Sequence, residues 1–310
     1  MPSDEQGDKR RGIAGSPLHA FRDSPPPSVV VQVDFGAESR RGAQRPANED
    51  HYLVVRLGRN QETLLTSLPD QAVLERFDEY AYGMLVADGL GGMGTGEVAS
   101  RMAITTLVHL VIYFGRWNVR IDDDIAREVM DRAERFYRGV DSTLVHRSPE
   151  GDRLQTTLTA AFSAGHDLFL VHVGHSRVYL FRNGKIVRLT RDHTLANREG
   201  SNVPLVDVGE AARDLHHILT ETIGGAGVAG PRIDIDRFRL ADRDIVLLCT
   251  NGLTDVVSED RIADVLRTNR TSAEQCVALV NLAVEAGGED DATAVVARYR
   301  IPERPRMVTP

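Results

Sequence analysis

Apolar residues fall in two rhythms along the chain. Short stretches are β-branched or continuously apolar, and two longer stretches repeat apolar positions every three to four residues. Val29-Val-Val-Gln-Val-Asp-Phe35 and Asp50-His-Tyr-Leu-Val-Val55 predict strands with a turn over 45–50 between them. Tyr82-Gly-Met-Leu-Val-Ala87 predicts a buried strand ending at Asp88, and the polar, interrupted segment 56–80 before it fits an insertion or an extension of a hairpin. Helical spacing follows over 96–114 and again over 125–144, where Ile125, Val129, Ala133, Phe136, Val140 and Leu144 form one stripe. Strands are expected again over 156–163, 168–173 and 177–181, and Asn183-Gly184 closes a two-residue hairpin onto 185–189.

The polar stretch 191–216 predicts a surface flap. A strand is expected over 244–249 and a short helix over 258–266 with acidic residues in its first turn. Thr271-Ser-Ala-Glu274 is a capping box that opens a helix to Ala286, and the last strand covers 292–301. Strands, two helices, strands, then helix and strand predict a layered α+β fold in which helices cover antiparallel sheets. Residues 1–28 carry Lys9-Arg-Arg11 and Ser24-Pro-Pro-Pro-Ser28 and too little apolar surface to order themselves, which predicts a disordered N-terminal tail; 29–301 is the expected folded domain and 302–310 a C-terminal tail.

Composition narrows the function classes. With 42% hydrophobic and 26% charged residues among 310, the chain can bury a sizeable core, and a net charge of −8 argues against a polyanion-binding surface, so no nucleic-acid partner is expected. Cys249 and Cys276 each sit in an apolar run, which fits buried, reduced thiols. No run of 18 apolar residues and no hydrophobic N-terminal segment is present, so neither membrane association nor a signal peptide is expected and the predicted location is cytoplasmic.

The candidate chemistry lies in three acidic clusters far apart in sequence: Asn48-Glu49-Asp50, Asp88-Gly89-Leu-Gly-Gly92 and Gly288-Glu289-Asp290-Asp291. Carboxylates next to small residues let side-chain and backbone oxygens approach one hard cation, a pattern suited to Mg2+ or Mn2+. Glu49 and Asp50 are adjacent, so in extended backbone they point to opposite faces and only one can aim directly at a given ion.

Taken together with Arg45, Gly174-His-Ser-Arg177, Leu219-Thr220, Ile223-Gly224 and Cys249-Thr-Asn-Gly-Leu-Thr254, these clusters occur in the order and spacing of the PPM-type (type 2C) metal-dependent serine/threonine protein phosphatases, which the chain resembles over about residues 29–300. The resemblance implies a four-layer sandwich, two antiparallel β-sheets flanked by helices. It also implies two Mn2+ or Mg2+ ions that activate a water toward phosphoserine or phosphothreonine in proteins, opposing a Ser/Thr kinase. By the same resemblance Asp88 bridges the ions and the Gly89 carbonyl assists, Glu49, Asp50, Asn251 and Asp290 complete the metal set, and Arg45 grips the substrate phosphate. A guanidinium fork can hold two phosphate oxygens as a lysine cannot.

Two positions depart from the family. His175 and Asn251 stand where it carries aspartates, which removes two negative charges and puts a third ion site in question; Asp291 stands where it usually carries Asn, so the last ligand is Asp290 or, with a one-residue slip, Asp291. Leu90 replaces a histidine of some relatives, and His193, His216 and His217 near the flap are candidates for protonating the leaving oxygen. Three readings follow: an active protein phosphatase, a catalytically weak or inactive pseudophosphatase that binds phosphoproteins, and a two-metal hydrolase of small phosphate esters.

Overall fold

A computed structural model describes residues 31–301, apart from 70–72, 74, 92–93, 116–120, 149–151, 198–214, 216 and 226–229. The tails expected at 1–28 and 302–310, most of the flap at 191–216, and His216 therefore lie outside the described residues.

Two antiparallel sheets stack face to face. One runs β1 (Gln32–Arg40), β11 (Ala292–Arg300), β10 (Ile245–Cys249), β7 (Arg177–Arg182) and β8 (Lys185–Arg188). The other runs β2 (Asp50–Glu62), β3 (Arg76–Leu90), β5 (Leu158–Ala164), β6 (Asp167–Val173) and β9 (Asp234–Arg239), with the two-residue β4 (Gln155–Thr156) paired to the end of β3. Helices α1 (Thr95–Phe114) and α2 (Asp123–Arg147) cover the second sheet; α3 (Asn251–Thr254), α4 (Glu259–Arg267) and α5 (Ser272–Glu285) lie on the side of the first. The α+β sandwich expected from the sequence is the fold observed.

The period of two along each strand assigns every buried side chain to a layer. In β10, Ile245, Leu247 and Cys249 face α4 and α5, while Val246 and Leu248 join Met84, Val86, Leu170, Val178 and Val295 between the sheets. In β3, Leu85 and Ala87 face α1 and α2. Burying both faces explains why these strands read as continuous apolar runs, and truncating an intersheet leucine such as Leu248 to alanine would cost about 2–5 kcal/mol.

Several local expectations match: Asn183 and Gly184 both take positive φ in the hairpin turn, and Thr271 with Glu274 forms the capping box. Of the two alternatives for segment 56–80, the hairpin extension is the one observed, since β2 and β3 stay paired from Asp50↔Asp88 to Glu62↔Arg76. Others are corrected. Strand β3 continues past Asp88 to Leu90, because β4 supplies partners for Gly89 and Leu90. The strand expected over 156–163 is divided at Thr157, whose backbone and hydroxyl both bond to Asp88. Strand β9 was not anticipated, its alternation hidden by four charged residues in six (Asp-Ile-Asp-Arg-Phe-Arg), and the one-turn α3 was too short to show a helical period. The polar letters at 192–194 are buried rather than on a surface flap: Asp192, His193 and Thr194 all lie inside. Helix α1 is long and apolar enough by length and composition to cross a membrane; here its Ala99, Ala103, Ile104 and Leu107 pack in the core against β3.

Candidate metal centre

One end of the sandwich collects the chemistry. There β2 begins at Asp50, β3 runs out through Asp88, β10 passes into α3 at Thr250-Asn251, β7 begins after His175, and β11 begins after Asp290-Asp291. Asp50 and Asp88 are direct partners in the β2–β3 register. Asp88 shares its strand face with Met84 and Val86, so both carboxylates enter the space between the sheets.

Both are buried. Asp50 Oδ2 accepts from Thr250 Oγ1 at 2.8 Å and Thr293 Oγ1 at 2.6 Å, which fixes its carboxylate across to the other sheet. Burial pushes its pKa up to about 8 against the opposing effect of those two hydrogen bonds. Burial, then the charges of Asp50 and Asp290, raise Asp88 well above the ordinary carboxylate range. Such mutual repulsion in a dry site is what a divalent cation relieves.

Glu49 points to the other face, as adjacency requires. Its carboxylate accepts from the Glu97 N–H in the first turn of α1 and lies 3.5 Å from Arg45 Nη1. Its position depends on two glycines: a Cβ on Gly89 would meet the Gly96 carbonyl at 2.0 Å, and one on Gly96 would meet Glu49 Cδ at 2.8 Å. The Gly89 N–H donates to the Glu49 carbonyl at 3.2 Å.

Arg45, expected to grip phosphate, pairs instead with Asp290: Nη2 and Nε lie 2.6 and 2.8 Å from Oδ1. Asp291 is buried and spent on the backbone, its Oδ1 accepting from Gly42 N–H at 2.8 Å and Oδ2 from Glu49 N–H at 2.7 Å. Of the two adjacent aspartates, Asp290 is therefore the one turned toward the centre, beside Asn251 as well as Arg45.

The two departures from the family also converge here. His175 is buried, with Nδ1 3.8 Å from Asp88 Oδ2, and burial lowers its pKa to about 4, so it is neutral at pH 7. Asn251 donates through Nδ2 to Asp255 Oδ2 at 3.0 Å and toward Asp290 Oδ2 at 3.5 Å. Asp50 Oδ1, His175 Nδ1 and Asn251 Oδ1 are buried with no hydrogen-bond partner among the described residues. Three orphaned acceptor atoms in one acidic pocket suit a cation better than a set of hydrogen-bond donors. Among the described residues no three His, Cys, Asp or Glu side chains are already gathered as a coordinating group, and Asp290 is engaged by Arg45 and Asn251.

Sequence reasoning missed three contributors. Thr250 and Thr293 anchor Asp50, the first lying unremarked inside a quoted motif and the second two residues beyond another; Asp255, one helical turn after Asn251, accepts from its amide and stands 3.6 Å from His217 Nδ1. An acid four residues beyond Asn251 was the available signal. Of the histidines, His193 is committed on both ring nitrogens, to Gly174 N–H at 3.3 Å and Asp234 at 3.1 Å; His217 is exposed at the edge of the centre beside Asp255. Cys249 is buried and burial pushes its pKa up to about 12, which makes it an inert thiol; Cys276 is raised to about 12 in the same way.

The model of the family described as protein phosphatase 2C matches residues 66–283. The serine/threonine protein phosphatase PstP of Mycobacterium tuberculosis is 33% identical over 279 residues, covering 87% of this chain and 45% of that protein, so the chain spans less than half the length of this curated relative. The serine/threonine phosphatase stp of Listeria monocytogenes is 29% identical over 234 residues, covering 72% of the chain and 86% of that protein. Among solved structures, the catalytic domain of PstP in complex with two manganese ions aligns with TM-score 0.64 and 27% identity over 87% of this chain and 99% of that one.

Proposed function

Because the chain belongs to the protein phosphatase 2C family, we propose that it hydrolyses phosphoserine and phosphothreonine in proteins with the help of bound divalent metal ions, Mn2+ or Mg2+. The observation that carries this is the direct pairing of Asp50 with Asp88 between the sheets, beside Asp290 and three orphaned acceptor atoms. A non-catalytic phosphoprotein-binding role gains no support from the relatives, which are described as phosphatases.

The residues that would hold the ions are Asp88, Asp50 and Asp290, with Glu49, Asn251 and the Gly89 carbonyl beside them. When bound, a divalent pair lowers the pKa of water to near neutrality and neutralises charge on the phosphoryl oxygens. The remaining work falls to the chain. The threonine pair on Asp50 holds one oxygen still while leaving Oδ1 free toward the centre. The capture of Asp291 by two backbone N–H groups fixes the loop that carries Asp290 and the strand entry that carries Glu49. Arg45, half-exposed at the mouth, is the cation within reach of an incoming phosphate and exchanges Asp290 for two phosphate oxygens. Cys249 takes no part, so no covalent intermediate forms on a thiol.

We place this activity in the cytosol, opposing a Ser/Thr kinase, a setting compatible with the two buried free thiols. The test is phosphate release from a phosphothreonine peptide with Mn2+ by wild type and by Asp88→Asn, with and without EDTA. Turnover that depends on metal and disappears in Asp88→Asn is expected; turnover that survives either the chelator or the substitution would sink the reading.

A further inference from the structure

The Gly174-His-Ser-Arg177 turn holds an imidazole rigidly among carboxylates, in a place that hydrogen bonding does not explain. Gly174 is clasped by one residue in both directions: the His193 N–H donates to its carbonyl at 2.7 Å, and its own N–H donates to His193 Nδ1 at 3.3 Å. Its φ of +115° and the 2.5 Å approach a Cβ would make to Thr157 bar other residues there. On the far side, Ser176 Oγ lies 3.1 Å from Thr157 Oγ1, and Arg177 grips Asp192 through Nε at 3.1 Å and Nη2 at 2.7 Å. His175, between these anchors, is 7% exposed.

So fixed, its Nδ1 faces Asp88 Oδ2 at 3.8 Å, too far for a hydrogen bond, and finds no hydrogen-bond partner among the described residues. With metal–donor distances of about 2.1 Å, two donors to one ion stand about 3–4 Å apart. The 3.8 Å between His175 Nδ1 and Asp88 Oδ2 falls within that range. Asn251 Oδ1, also buried and without a hydrogen-bond partner among the described residues, offers a neutral oxygen in the same centre. An imidazole and an amide replace two anionic oxygens, a change that weakens the hold on Mg2+ and favours ions that accept nitrogen.

The geometry points to His175 as a nitrogen ligand, through Nδ1, of a divalent ion shared with Asp88, which sets this centre to prefer Mn2+, Fe2+ or Zn2+ over Mg2+. The inference rests on the metal centre proposed above and deepens it. Ring nitrogen of the neutral tautomer supplies the lone pair, and the proton resides on Nε2.

Pulsed EPR of the Mn2+-loaded full chain reads this directly, because a coordinated imidazole imprints 14N modulation on the Mn2+ echo. The expected result is histidine modulation in wild type and in His217→Gln, and its loss in His175→Asp. Calorimetric titration with each metal alone should show the preference for Mn2+ over Mg2+ falling about tenfold in His175→Asp. Mn2+ bound and phosphatase activity intact but without nitrogen modulation in wild type overturns the inference while leaving the phosphatase reading standing. Modulation that survives His175→Asp and vanishes in His217→Gln overturns it in favour of the exposed histidine, and failure of wild type to bind Mn2+ overturns both. The wild-type spectrum decides even if His175→Asp folds poorly.

Discussion

Arg45 holds Asp290 through two nitrogens on a single oxygen, Nη2 at 2.6 Å and Nε at 2.8 Å from Oδ1. The residue best placed to receive a phosphate is thus paired with the residue best placed to complete a metal site, and each restrains the other. Asp290 cannot turn fully toward a cation until Arg45 lets go, and Arg45 released is a bidentate donor in need of an anion. Arg45→Ala should therefore separate the two roles. Mn2+ affinity is expected to rise several-fold as Asp290 is freed, while KM for a phosphopeptide rises about tenfold or more with loss of a charge-assisted contact. Calorimetry and steady-state kinetics check both, and a fall in metal affinity would show that Arg45 supports the site rather than competes for it.

Asp291 serves the backbone. Each carboxylate oxygen accepts from a different N–H, Gly42 and Glu49, in a buried place. An asparagine can accept on only one side, so Asp291→Asn leaves one buried donor unmet at a cost of about 1–3 kcal/mol. Urea denaturation of the metal-free protein should show that loss. Unaltered stability would mean that the loop turns to find another partner.

Asn251 tells in the opposite direction. Its amide donates to Asp255 and leans on Asp290, so a carboxylate there would face two others. Asn251→Asp is expected to lower the melting temperature in EDTA and to tighten divalent binding about tenfold, with the metal-loaded protein recovering the loss. Melts with and without Mn2+, alongside calorimetry, measure this; equal affinity in the two proteins would show a site adapted around the amide.

His172 makes one separable contribution to the pH dependence of stability, beside a like-signed one from His175 and opposite ones from the buried Asp50 and Asp88. Burial, then the His193 ring 4.9 Å away, lower its pKa to about 3. It sits between the Thr159 hydroxyl at 2.8 Å and the Arg191 carbonyl at 3.1 Å, an arrangement that suits the neutral ring, with Asp192 and Asp234 the nearby acids. At this ring the unfolded chain takes up a proton near pH 6.5 and the folded one does not, so its contribution to stability is full above that value and falls as pH drops toward 3, by about 2 kcal/mol between pH 7 and 5. Unfolding free energies of wild type and His172→Gln at the two pH values check it: the difference between the two proteins should change by about that amount, wild type losing more on acidification.

Legibility differed with the range of the interaction that decided each feature. The hairpin at 183–184, the capping box at Thr271 and the two long helices were readable because turn chemistry and helical period act over a few neighbouring residues. Strand β9 was not, because its charged side chains are accommodated by ion pairs such as Arg237 with Asp167, a residue 70 positions away.

The sequence by itself determined the succession of strands and helices, the family resemblance, and the identity of the acidic and basic groups available, since composition, period and motif are local properties of the chain. Only the tertiary structure decided which of two neighbouring acids would do what. Asp50 faces Asp88 while Glu49 turns to α1, and Asp290 faces the centre while Asp291 binds two N–H groups, because strand register and backbone donors from distant segments select among residues that are equivalent as letters.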